Sequence, residues 1–277
     1  MDFSSTNYLP NSDRRISYLQ EIVAGRTVAI LAAGASIEEL ENRIYEIRNC
    51  DICYFGFNSF LQEENIIQRI DRHYSVYMDS CKLNIPHTIN DIIKFLDRDE
   101  DNLFISSFYN DTFELMDSSF NLNEFLKRYD RKITLFSLSN EKTFPSHNQP
   151  LHFILSNSLL VLIQMAIIGK ASRIMLFGAD GGYIRDTEKT YYRHGEPDDP
   201  EIYKKLYLSS PIEDVVKDTN MFFNPIADIG ISNIYKTYFL PKIDIINCSK
   251  YSLYTPFPKV SYDVALDCLK ANPEKKL

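Results

Sequence analysis

Gly34, Ala35 and Ser36 follow the apolar run Thr27–Leu31 and precede a stretch rich in Ile, Leu and Glu. A strand that turns on small residues into a helix leaves backbone N–H groups facing outward, and the helix macrodipole adds partial positive charge there. The chemistry this suits is the holding of a phosphate, and on that reading Gly34→Val abolishes ligand binding in a protein that still folds. There is no Gly-x-Gly-x-x-Gly fingerprint, so a plain strand–helix turn is the competing reading. A second cluster, Gly178-Ala179-Asp180-Gly181-Gly182-Tyr183, follows the apolar run Ile174–Phe177. Asp180 suits hydrogen bonds to sugar hydroxyls or the orienting of a base, against an ordinary turn aspartate. Thr190 to Glu196 gathers Tyr191, Tyr192, Arg193 and His194. The tyrosines suit contact with a phosphate, and His194 suits general acid–base work unless it is an exposed loop histidine.

The remaining titratable groups point away from a metal. The five histidines, at positions 73, 87, 147, 152 and 194, contain no His-x-x-x-His pair. Cys50 and Cys53 have the spacing of half a zinc site, but no second pair follows. The five cysteines are scattered, which suits core packing in a reducing compartment.

These residues need elements to bring them together. Apolar runs predict strands at Thr27–Leu31, Ile52–Phe57, Tyr74–Met78, Leu103–Ser106, Lys132–Phe136, Arg173–Phe177 and Ile243–Asn247. Helical periodicity predicts helices at Ser12–Val23, Ile37–Arg48, Glu64–Arg72, Ile89–Leu96, Leu122–Tyr129, Asn157–Ile168 and Ile226–Tyr238. Alternating elements with doubly buried strands imply an α/β protein, a doubly wound and mainly parallel sheet with helices on both faces. Residues 1–24 read as an N-terminal extension and 25–277 as one domain, with a lid over about 181–225 hinged at Gly181-Gly182. In such sheets ligands sit outside the carboxyl ends of the strands. That edge collects Gly34–Ser36, Asn58, Asp79, Gly178, Asp180, Asn247 and Ser249.

The 277 residues carry a net charge of −8, against a broad nucleic-acid surface. No apolar stretch reaches the roughly 18 residues of a membrane span. The first residues lack the basic start and apolar run of a secretory signal, so a cytoplasmic protein is expected.

Four stretches together resemble a known family: VAILAAGASIEEL, CYFGFNSF, SNSLLVLIQMAIIGKASRIMLFGADGGY and IYKTYFLPKIDIINCSKYSLY. Their order and spacing resemble the bacterial sialyltransferases that use CMP-sialic acid and the related domain of motility-associated flagellin glycosyltransferases. The same broad family is similar to 6-hydroxymethylpterin diphosphokinases. The resemblance implies a Rossmann-like transferase with a nucleotide-activated sugar as substrate and no cofactor. It implies that Gly34, Ala35 and Ser36 meet the donor phosphate through backbone N–H groups. It further implies that Asn58, Asn157 and Ser158 contact the nucleotide or sugar, and that Gly178 and Asp180 flank the ribose or sugar. Two positions depart from the pattern: Ala33 stands where the family has Asn, and Phe222 where it has its catalytic His. His194 is then the candidate base. The partners implied are the donor and a glycan or protein acceptor, and an assembly of identical chains stays open. Two other readings remain, a Mg²⁺-dependent diphosphotransferase using Asp79 and Asp180, and a nucleotide-binding module without catalysis.

Overall fold

The computed structural model describes residues 13–32, 34–57, 66, 69, 74–78, 86–98, 101–108, 121–139, 152–154, 158–181, 211, 213–214, 216–217, 243–249 and 252–271. It is an α/β structure. The strands are β1 (Thr27–Leu31), β2 (Ile52–Phe57), β3 (Tyr74–Met78), β4 (Leu103–Phe108), β5 (Ile133–Ser139), β6 (His152–Ile154), β7 (Arg173–Phe177) and β8 (Asp244–Asn247). The described helices are α1 (Asp13–Val23), α2 (Ile37–Arg43), α3 (Pro86–Arg98), α4 (Leu122–Arg128), α5 (Ser158–Ile168) and α6 (Tyr262–Lys270).

The eight strands form one sheet in the order β6-β5-β4-β3-β2-β1-β7-β8, with every neighbouring pair parallel. The chain winds outward from β1 to β6, then crosses back to lay β7 on the other side of β1. The register Thr27↔Arg173 through Leu31↔Phe177 brings the carboxyl ends of β1 and β7 side by side.

Side chains along the strands alternate between two cores, as the pleat requires. Ala29, Leu31, Tyr54, Phe104, Met175 and Phe177 join one core, with α2, α3, α4 and α6 packed on that face. Val28, Ile30, Cys53, Phe55, Leu103, Ile105, Ile174 and Leu176 join the other, under α1 and α5. α6 buries Tyr262, Ala265, Leu266 and Leu269, the spacing of a single helical stripe. Each large apolar side chain so buried contributes about 1.5–3 kcal/mol before chain entropy is counted. α5 is apolar nearly all round, which suits a helix enclosed on every side.

The structure extends several predicted elements and adds two. β4 and β5 run further than their apolar cores, to Phe108 and Ser139. The predicted helix 37–48 divides into α2 and a 3₁₀ turn at Ile44–Glu46. β6 and α6 were not anticipated. α1, within the N-terminal extension, packs on the sheet: Leu19, Ile22 and Val23 are buried in the second core, and Gln20 Nε2 donates to Ile168 O at 3.1 Å. The predicted helix 226–238 lies outside the described residues, as does all of the lid but Gly181, 211, 213–214 and 216–217. Among the described residues, no helix is long and apolar enough to cross a membrane.

An ion-pair network fastens α6 beside α2. Arg43 pairs with Glu46 at 2.7 Å and Asp263 at 2.6 Å, and Lys270 reaches Glu46 at 2.5 Å. The Arg43 hydrogen bond, and after it that of Lys270, holds the Glu46 carboxyl down to about 2. A carboxyl depressed in the folded state contributes stability above its unfolded value, about 4.3 for Glu, and loses it as pH falls through the folded value. Glu46→Gln is therefore expected to melt below the wild type at neutral pH, with the gap closing between about pH 4 and pH 2. Paired melting curves across that window test it, and a gap independent of pH would remove Glu46 from the acid response.

Candidate functional site

The carboxyl ends of β1, β7 and β8 are joined by a buried polar network. As the chain leaves β1, Ala32 N donates to Phe177 O at 2.8 Å and Gly34 N to Gly178 O at 2.9 Å. The turn thus follows the end of β7 at backbone contact. Two glycines permit this. A Cβ on Gly34 would lie 2.3 Å from Gly178 O and 2.6 Å from Asp180 Oδ2. Gly178 has φ +65°, and a Cβ there would lie 2.2 Å from Ala32 O. Each glycine makes room for the other's chain.

Asp180 is the centre of the network and only 2% exposed. Its Oδ2 accepts from Ser36 N at 2.9 Å. Its Oδ1 accepts from Ser36 Oγ at 2.6 Å and Ser249 Oγ at 2.6 Å. Its backbone carbonyl accepts from Leu253 N at 2.7 Å. Three hydrogen bonds to its side-chain oxygens compensate for burial of this polar group. One side chain at the end of β7 therefore ties down the turn after β1 and the loop after β8.

Asn247 closes the far side of the network. Its amide donates to Ala179 O at 3.1 Å and Ser252 Oγ at 2.8 Å, while its side-chain carbonyl accepts from Ser249 N at 2.9 Å. Tyr262, the first residue of α6, reaches in from the other end of the sequence. Its hydroxyl donates to Ser36 O at 2.7 Å, and its ring tilts against Phe177 at 5.5 Å between centroids. Burial pushes the Tyr262 phenol well above its ordinary value, so it stays a neutral donor at physiological pH.

The structure brings Gly34, Ala35, Ser36, Gly178 and Asp180 together. The N–H groups of Gly34 and Ser36, expected to meet a phosphate, donate inside the protein to Gly178 O and Asp180. Of the three turn donors, only that of Ala35 has no acceptor among the described residues. Asp180, expected to act in catalysis, has both carboxylate oxygens engaged. In that position it braces the turn against the end of β7. Ser158 opens α5 on the opposite face of the sheet from α2. Asn58, Asn157, Tyr191, Tyr192 and His194 lie outside the described residues, as do Ala33, Asp79, Arg193 and Phe222. The contribution of Tyr262 was missed in the sequence. Its only signal there is the stripe Tyr262, Ala265, Leu266, Leu269, which marks a buried face without naming the partner.

No protein-family model matches the chain, and no curated protein does.

Proposed function

We propose that the chain is a Rossmann-like, cytoplasmic glycosyltransferase. In this reading it takes a nucleotide-activated sugar, with a CMP-linked sialic acid-type donor first in line, and transfers the sugar to a glycan or protein acceptor. The observation that carries the reading is the reversal of strand order at β1 and β7, with the small-residue turn Gly34–Ser36 directly above it. Parallel sheets bind ligands in the crevice outside the carboxyl ends of the strands at such a reversal. The four-part resemblance of residues 26–254 to sialyltransferase-like sequences supplies the donor class.

In this mechanism the rigid turn presents Ala35 N–H to the donor, and Asp180 keeps the turn in place without touching the sugar. The transition state is oxocarbenium-like, so the site must stabilise a departing phosphate and deprotonate an acceptor hydroxyl. Tyr191 and Tyr192 are the proposed phosphate contacts, with Asn58, Asn157 and Ser158 toward the nucleotide, and His194 is the proposed base.

A thermal-shift screen with CMP, CDP, UDP, GDP and ATP, each with and without Mg²⁺, tests the donor class. A ligand at a hundred times its Kd stabilises by about 2.7 kcal/mol, a shift of several degrees for a chain of this size. Cytidine nucleotides are expected to give it without metal. A shift from ATP alone, requiring Mg²⁺, would replace the reading with diphosphate transfer. No shift from any nucleotide would remove the donor assignment.

A further inference from the structure

We propose that Tyr262 is a positioning residue for the nucleotide site at the β1–β7 reversal, setting the turn from the C-terminal helix. The proposal rests on the nucleotide reading above. Three of the turn's backbone groups are held by separate parts of the chain. Gly34 N–H is held by Gly178 O at the end of β7, and Ser36 N–H by Asp180 beyond it. The Ser36 carbonyl is held by the Tyr262 hydroxyl, 226 residues away. The same carbonyl also accepts from Glu39 N at 3.2 Å in the first turn of α2.

Ser36 is thus pulled by Asp180 on its N–H and hydroxyl, and by Tyr262 on its carbonyl. The Ser36 carbonyl shares its peptide plane with Ile37 N–H, which donates to Gly34 O at 3.0 Å, and Gly34 O shares its plane with Ala35 N–H, so holding the Ser36 carbonyl bears on the direction of Ala35 N–H. Ala35 N–H is the turn donor left without an acceptor among the described residues, and its direction matters most for a ligand. Tyr262 is 3% exposed and does not itself face the ligand; it acts through Ser36. Its ring contact with Phe177 remains when the hydroxyl is removed, so the hydroxyl's contribution can be isolated. With that bond gone, the turn samples orientations other than the binding-competent one. The apparent Kd then rises as the inverse of the fraction of molecules that stay competent. One hydrogen bond of ordinary strength makes this about three- to tenfold.

The test compares wild type, Tyr262→Phe and Asp263→Asn, using CMP binding by calorimetry alongside melting curves. Asp263→Asn removes the Arg43 ion pair on the same helix and keeps the Tyr262 hydroxyl. It controls for docking of α6. The expected result is CMP affinity about three- to tenfold weaker in Tyr262→Phe and unchanged in Asp263→Asn. Equal CMP affinity in wild type and Tyr262→Phe would overturn the positioning role while leaving the nucleotide reading intact. Equal weakening in both variants would overturn it too, since helix docking alone would then account for the effect. No CMP binding by the wild type would overturn both this proposal and the donor assignment beneath it.

Discussion

Gly34→Val is expected to lose the fold, where the sequence alone led to loss of a ligand. The added Cβ would lie 2.3 Å from a backbone carbonyl oxygen, Gly178 O, and 2.6 Å from Asp180 Oδ2. Neither is the free end of a flexible side chain. Relief requires the turn to leave β7. That breaks the Gly34 N–H bond to Gly178 O and pulls Ser36 from Asp180. Overpacking costs about 1–3 kcal/mol. Each buried polar group left unpaired adds about 1–3 kcal/mol more. Together these approach the whole stability of an ordinary domain, about 5–15 kcal/mol. Urea unfolding by circular dichroism measures the effect, with soluble yield as the first sign. Gly25→Ala is the control: Gly25 has φ +76° but nothing within 4 Å of its would-be Cβ, so strain of about 1 kcal/mol is all that is expected. A Gly34→Val protein with wild-type unfolding would refute the close packing of the turn.

Asp180→Leu is expected to destabilise by about 3–5 kcal/mol, because it strands one buried and two half-buried donors against an apolar side chain. Those donors are Ser36 N, Ser36 Oγ and Ser249 Oγ. Asp180→Asn keeps the shape and one acceptor, but turns an amide N–H₂ toward a donor. Its cost is expected to be smaller, about 2–3 kcal/mol. A double-mutant cycle of Asp180→Asn with Ser249→Ala should show coupling of about 1 kcal/mol or more, since the two groups share a hydrogen bond. The cycle separates a bracing carboxylate from a reacting one. If Asp180→Asn unfolds at the wild-type urea midpoint yet lacks the proposed transferase activity that the wild type shows, Asp180 is a catalytic group and the brace assignment fails.

Most of the sheet was legible before any coordinates. VAIL, ICYFGF and IMLF are largely apolar runs of four to six residues, the length and pattern of a strand covered on both faces, and β1, β2 and β7 match their predicted bounds. β6 is three residues long, too short for a period to register. α6 has a readable stripe, but its apolar positions are filled by Tyr and Ala as well as Leu, and that blunts the signal. Gly34 and Asp180 were each singled out as chemical residues. The same small, polar character that suits a phosphate turn also suits a turn packed on its neighbour, and local sequence does not separate the two.

The sequence by itself determined the α/β class, the buried strands and the residues gathered at their carboxyl ends, because those follow from hydrophobic period and turn chemistry, which are local. Only the tertiary structure decided what those residues bond to. Asp180 meets Ser36 across 144 positions and Ser249 across 69, and Tyr262 meets Ser36 across 226. Strand order sets such pairings, and strand order depends on which faces bury best together rather than on any one stretch of chain. That is why the turn read from the sequence as a phosphate site is, in the fold, also tied to Asp180 at the end of β7.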